Sequence, residues 1–172
     1  MDRMPTDLVL LDLDETLLPT EALREARHAE RPSDLALVPG YELIRLHDGI
    51  RDGLAALSLF TRIGLVTSSP LWYVDQLLCA HLPDVEFEAM VTYEDVEKLK
   101  PDPEPLRLAL TRTGVSADRT LYVGDADVDF EACEAAGIAF RGAGWADLPT
   151  FPAWASWVRT PQDLVELIGS RV

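Results

Sequence analysis

Leu8-Val9-Leu10-Leu11 is an unbroken apolar run that ends on a charged residue, Asp12. A strand buried on both faces reads this way, because in a sheet covered by helices on both sides neither face meets water. Four further short apolar runs predict strands at residues 62–67 (RIGLVT), 87–92 (FEAMVT), 120–123 (TLYV) and 138–141 (IAFR), with a sixth at 156–159. Helix-length segments lie between them: 50–60; 70–80, with Ser69 as N-cap and Pro70 as its first residue; 103–113, stopped by Gly114; 127–136, ending at Gly137; and 162–168, ending at Gly169. Proline fits a first turn, where its missing donor is not used, and glycine fits the left-handed position just past a last turn. Strand alternating with helix predicts an α/β fold built on a doubly wound, mainly parallel sheet.

The alternation fails between Leu18 and Asp48. A helix-like stretch at 20–31 leads into 33–46, where Pro39-Gly40 predicts a hairpin turn. A chain of 172 residues can bury one sizeable core but falls short of two ordinary domains. The expectation is therefore one domain over residues 1–172, with 19–48 as a short insertion. Residues 142–152 read as an irregular surface loop, and no repeat or flexible linker occurs.

Composition narrows the class. Apolar residues make up 48% and charged residues 26% of the chain, near the averages for folded soluble domains, which sets aside disordered, collagen-like and membrane classes. Its 30 acidic residues stand against 15 basic ones, a formal net charge of −15. Such a field repels polyanions and gathers cations, so nonspecific nucleic-acid binding is not expected; an acidic surface also serves solubility alone. The start, Met1-Asp2-Arg3-Met4-Pro5, has no basic stretch leading into an apolar one. No segment reaches the roughly 18 apolar residues of a spanning helix, so no membrane partner and a cytoplasmic location are expected. Cys79 and Cys133 lie in helical apolar patterns without a CxxC or Cys/His cluster, which predicts buried reduced thiols.

The predicted strand ends carry the candidate chemistry. Asp12-Leu13-Asp14-Glu15-Thr16 places two carboxylates one residue apart at the edge where α/β sheets hold ligands. Alone, Asp-x-Asp reads as a strand-end turn. Its company changes that: residues 63–66 end in Thr67-Ser68-Ser69, Lys100-Pro101-Asp102-Pro103 precedes a helix, and residues 121–123 end in Gly124-Asp125-Ala126-Asp127-Val128-Asp129. All fall at one edge of the predicted sheet. No GxxxxGK[ST] or GxGxxG cradle implies a nucleotide cofactor, and His28, His47 and His81 have no triad context.

The order and spacing of these four segments, over residues 7–140, resemble the haloacid dehalogenase-like hydrolases. The nearest group is phosphoglycolate-phosphatase-like, because Lys100 directly precedes proline and the fourth segment continues as Asp129-Phe130-Glu131-Ala132-Cys133-Glu134-Ala135-Ala136-Gly137. The resemblance implies a Rossmann-like core and a magnesium-dependent phosphatase that hydrolyses a phosphate monoester through an aspartyl-phosphate. Asp12 is then the nucleophile, splitting one slow displacement into two easier steps. Asp14 is the general acid and afterwards the base. The Thr67 hydroxyl, the Ser68 amide at a helix start and the Lys100 ammonium would stabilise the transferring phosphate, while Thr16 steadies the turn. Mg2+ would be held by Asp12, Asp125, Asp129 and the backbone carbonyl of Asp14, with water completing an oxygen octahedron. Asp127 has no place in that set and reads as a helix N-terminal acid complementing the dipole. Dehalogenases of the superfamily lack an acid at the Asp14 position, so phosphate chemistry is implied.

Family members acting on small metabolites often carry a large helical cap after the first segment, whereas only about 30 residues are available here, below a minimal domain. The site is thus expected to be open, either to a small phosphorylated molecule or to a phosphate exposed on a larger one, with another copy of the chain a candidate lid. Arg24, Arg27, His28 and Arg31 fall on one helix face, as i, i+3, i+4 and i+7. This stripe could meet a second anionic group of the substrate or an acidic patch on another subunit; the plainer reading is a solvated face pairing with Glu21 and Glu30. Leu71, Trp72 and Tyr73 read as core, and Trp145, Trp154 and Trp157 as packing. Two other functions use similar parts: a receiver-like signalling domain that accepts a phosphoryl group on Asp, and a phosphate-dependent binding domain with little turnover. The DxDxT spacing and GDxxxD favour hydrolysis over both.

Overall fold

The computed structural model describes residues 5–28, 40–146 and 156–170. Six strands, β1 (Leu8–Leu11), β2 (Arg62–Val66), β3 (Ala89–Val91), β4 (Thr120–Gly124), β5 (Ala139–Ala143) and β6 (Trp157–Val158), form one sheet in the order β3-β2-β1-β4-β5-β6. Every pair is parallel. Central β1 sends Leu8 and Leu10 to one face and Val9 and Leu11 to the other, and none is more than 1% exposed. Both faces are dry, which is why the run is continuous rather than alternating. Burying each such leucine contributes about 1.5–3 kcal/mol.

Helices α2 (Ile50–Leu57), α3 (Leu71–His81) and α6 (Pro161–Gly169) pack on the Val9 and Leu11 face, and α4 (Glu104–Thr113) and α5 (Asp127–Ala136) on the other. The doubly wound α/β architecture is the one predicted. Gly64 in β2 has a packing reason: a Cβ there would stand 2.7 Å from Leu10 Cδ2 and 3.1 Å from the Ala89 carbonyl oxygen.

Several local expectations change. Ser69 does not cap α3; the N-cap is Pro70, without a side-chain hydrogen bond, because the Ser69 hydroxyl is given to Asp14 instead. Gly114 and Gly137 do close α4 and α5 in left-handed backbone, at φ 68° and 72°. Gly169 does not: it is the last residue of α6, followed by Ser170 at φ −74°. That helix starts at Pro161, earlier than predicted, on a capping box in which Thr160 Oγ1 accepts from the Asp163 amide and Asp163 Oδ2 from the Thr160 amide. Cys133 is buried but Cys79 is exposed, lying off the α3 face formed by Tyr73, Val74 and Leu77; both thiols are free. Gly142 and Ala143 pair with Trp157 and Val158 and so complete β5 rather than open a loop.

In the insertion, a 3-10 turn at Glu21–Leu23 runs into the short helix α1 (Arg24–His28). Arg31, Glu30 and most of the predicted hairpin lie outside the described residues, as does Trp154. From residue 40 to 46 there is no strand: Gly40, at φ 83°, opens a single 3-10 turn at Tyr41–Leu43. No described helix is long and apolar enough to cross a membrane.

Candidate active site

Parallel strands in register bring their C-terminal ends to one edge, and two ladders extend one residue past the strands. The Asp12 amide donates to the Val123 carbonyl at 3.0 Å, and the Thr67 amide to the Val91 carbonyl at 2.9 Å. Asp12, Thr67 and Asp125 therefore follow three neighbouring strands at the same edge. They line an open cleft of about 290 Å³ together with Asp14, Lys100 and Asp129 and with Glu21, Arg24 and Arg27 of the insertion.

Lys100 reaches this edge from the loop before α4. That loop is pinned by Glu104, whose two carboxylate oxygens accept from the Glu97 and Lys98 amides. The Lys100 side chain is 4% exposed, in contrast to Lys98 at 70%. Its ammonium donates to Asp12 Oδ1 at 2.8 Å, Asp129 Oδ1 at 2.6 Å and the Tyr122 hydroxyl at 2.8 Å. Burial pulls the ammonium toward deprotonation, but Asp12 and Asp129 outweigh it and hold its pKa above the ordinary lysine value. Burial raises the Asp12 carboxyl well above the usual range; Lys100 opposes this, while Asp129 and Asp125 add to it. Asp125 is pushed up to about 7, by burial first and by Asp129 next. Thr16, fully buried, donates to Asp125 Oδ1 at 3.0 Å and so ties the turn after β1 to the turn after β4.

Asp14 is buried against a different set. Its Oδ1 accepts from the Thr20 hydroxyl at 2.7 Å, the Tyr73 hydroxyl at 2.9 Å and the Arg27 guanidinium at 3.0 Å, and its Oδ2 accepts from the Ser69 hydroxyl at 2.5 Å. Burial, then the Asp14 charge, raise the Tyr73 phenol, so it stays a donor. Burial lowers the Arg27 pKa, but Asp14 more than offsets this. The backbone prepares this arrangement: Glu15, at φ 60°, takes left-handed backbone that is uncommon for a residue with a Cβ, and its carboxylate accepts from the Thr20 amide at 2.7 Å.

Asp12, Asp125 and Asp129 each offer a carboxylate oxygen within 4.8 Å of the others. This donor set fits a hard cation, since all three ligands are oxygen and Lys100 balances only one of three negative charges. The Asp14 side chain stands outside that cluster among the described residues. Asp127 is exposed at the first position of α5.

The structure thus brings Asp12, Lys100, Asp125 and Asp129 together, with Thr67, Asp14 and Ser68 on the same cleft. Ser68 is exposed and lies two residues before the α3 N-cap, so its amide belongs to the bend after β2 rather than to a helix start. Arg24 pairs with Glu21 on the surface at 2.8 Å, whereas Arg27 turns inward to Asp14. Sequence reasoning missed Thr20, Ser69, Tyr73 and Tyr122. The last two carry a signal: a tyrosine at a fully buried position needs a partner for its hydroxyl, and here those partners are Asp14 and the Lys100–Asp129 pair.

Comparison with known proteins adds three findings. Residues 35–143 match the family model of haloacid dehalogenase-like hydrolases. Phosphoglycolate phosphatases of Salmonella choleraesuis (strain SC-B67) and Escherichia coli (strain K12) are 37% and 39% identical over 89 and 75 residues, covering 51% and 44% of this chain. Those stretches cover 35% and 30% of the relatives, so the match spans about a third of their length. Among solved structures, CbbY from Rhodobacter sphaeroides in complex with phosphate superposes with a TM-score of 0.72 at 20% identity, covering 92% of this chain and 96% of its own. A HAD-superfamily hydrolase from Geobacter sulfurreducens gives 0.73 at 22%, covering 95% and 97%. These likenesses establish the fold.

Proposed function

Since the chain belongs to the haloacid dehalogenase-like hydrolases, we propose that it is a magnesium-dependent phosphatase acting on a phosphate monoester through an aspartyl-phosphate on Asp12. The observation that carries this reading is the convergence of Asp12, Lys100, Asp125 and Asp129 on one point at the sheet edge. Asp12, Asp125, Asp129 and the Asp14 carbonyl would hold magnesium, which would supply the charge that lets a carboxylate approach a dianionic phosphate. Asp12 attacks phosphorus as the bond to the ester oxygen breaks, and that oxygen takes a proton from Asp14. Lys100, Thr67 and the Ser68 amide hold the phosphoryl oxygens where negative charge concentrates. Water then adds to phosphorus, giving a proton to Asp14, and the bond to Asp12 breaks to release phosphate.

The substrate proposed is a small phosphorylated molecule, the class named for the phosphoglycolate phosphatases that the chain matches in part. Residues 1–172 would act as one domain with 19–48 as a short cap or flap insertion, and two free thiols suit a cytoplasmic setting.

The purified chain should release phosphate from a small aryl phosphate with magnesium and lose this on chelation. Asp12→Asn should abolish turnover while circular dichroism shows the fold intact. Equal activity in that variant would remove the mechanism.

A further inference from the structure

Asp14 is asked to give and take a proton, yet among the described residues four donors already occupy it, and they are distributed unevenly. Oδ1 holds three: the Thr20 hydroxyl, the Tyr73 hydroxyl and the Arg27 guanidinium, while Oδ2 holds the Ser69 hydroxyl. The donors differ in kind. A guanidinium has no acceptor capacity, so an oxygen facing it cannot turn a proton toward it. A serine hydroxyl rotates and serves as donor or acceptor with equal ease.

Resting on the phosphatase reading above, we propose that Arg27 and Tyr73 are positioning residues for Asp14: they anchor Oδ1 and leave Oδ2 as the oxygen that exchanges protons with the leaving group and with water. Arg27 comes from α1 in the insertion and Tyr73 from α3, so two separate elements fix the carboxylate plane. The Arg27 side chain is 21% exposed and lines the cleft, so the anchor stands beside the space where substrate enters. Its role is distinct from that of Arg24, which is spent on a surface pair with Glu21. The insertion thereby does more than border the site: it sets the direction in which the acid points.

A misdirected acid matters in proportion to how badly the leaving oxygen needs a proton. A series of aryl phosphates, from 4-nitrophenyl to phenyl to 4-methoxyphenyl phosphate, varies that need far more than it varies the contacts, and the first and last are close in size. Wild type, Arg27→Ala, Arg27→Lys, Tyr73→Phe and Asp12→Asn would be compared for kcat and KM, with thermal melts on each. Arg27→Ala should lose kcat/KM, which reports the step that expels the leaving group, about 100-fold on the most basic leaving group, near the lower end of what general acid catalysis supplies, and only a few-fold on 4-nitrophenyl phosphate. Arg27→Lys should restore part of the loss and Tyr73→Phe should show the same trend more weakly. An equal loss of kcat/KM across the series would overturn the proposal and make Arg27 a substrate contact or a structural residue. Turnover by Asp12→Asn, or none by wild type, would instead sink the phosphatase reading itself, along with this inference.

Discussion

At the scale of single residues, the site is built from groups that are costly to hold without their partners. Three aspartates converge where burial raises the carboxyls of Asp12 and Asp125, and the ammonium of Lys100 offsets part of their repulsion. Asp125→Asn keeps an oxygen to accept from Thr16 and removes one of the crowded charges. Above pH 7, where Asp125 is ionised, the metal-free variant should therefore melt higher, by on the order of 1 kcal/mol or roughly 2–4 °C for a chain of this size. It should also lose the rise in melting temperature that the proposed magnesium site predicts for the wild type. Differential scanning calorimetry with and without magnesium reads both, and a lower melting temperature for the metal-free variant would count against the charge argument.

At the scale of elements, what places Asp129 is the short link between β4 and α5. Asp129 is 1% exposed; its Oδ2 accepts from the Ala126 amide at 3.2 Å while its Oδ1 takes Lys100. Gly124 leaves room for this: a Cβ there would stand 2.4 Å from Asp129 Oδ2 and 2.7 Å from its Cγ. Gly124→Ala should push the carboxylate off its partners, weakening magnesium binding at least about tenfold and costing about 1–3 kcal/mol of stability. Gly114→Ala is the control, since it strains a left-handed cap at φ 68° with nothing within 4 Å of the new carbon. It should lower the melting temperature and leave metal affinity alone, as isothermal titration calorimetry would show.

At the scale of the whole molecule, the carboxylate cluster around Lys100 joins β1 to β4 and α5, so its charge state bears on global stability. The folded chain holds a proton on Asp125 up to about 7, against 3.8 for the free side chain. Between those values the folded state binds more protons than the unfolded one, so metal-free stability should fall as pH rises from about 4 to about 7. Asp12, also raised, acts in the same direction. At the proposed site magnesium would take the ionised carboxylates, so its stabilisation should grow over the same window, reaching about 2.7 kcal/mol at a hundredfold excess over Kd. Urea titrations at several pH values would check this, and a magnesium effect larger at pH 5 than at pH 8 would contradict it.

Alone, the sequence determined the central strand, the order of strand and helix and the family, because a strand buried on both faces leaves a continuous apolar run and motif order survives in one dimension. It also marked Asp12, Lys100 and Asp125 at strand and loop ends, since an α/β sheet gathers ligands at one edge. Only the tertiary structure decided that Ser69 serves Asp14 instead of capping α3, that Arg27 turns inward while Arg24 does not, and that Tyr73 and Tyr122 carry hydroxyls into the site. Local pattern fixes which face of an element is apolar, whereas a hydrogen bond between residues 55 or 59 positions apart depends on how faces meet. That meeting is set by packing across the sheet, which no window of neighbouring residues contains.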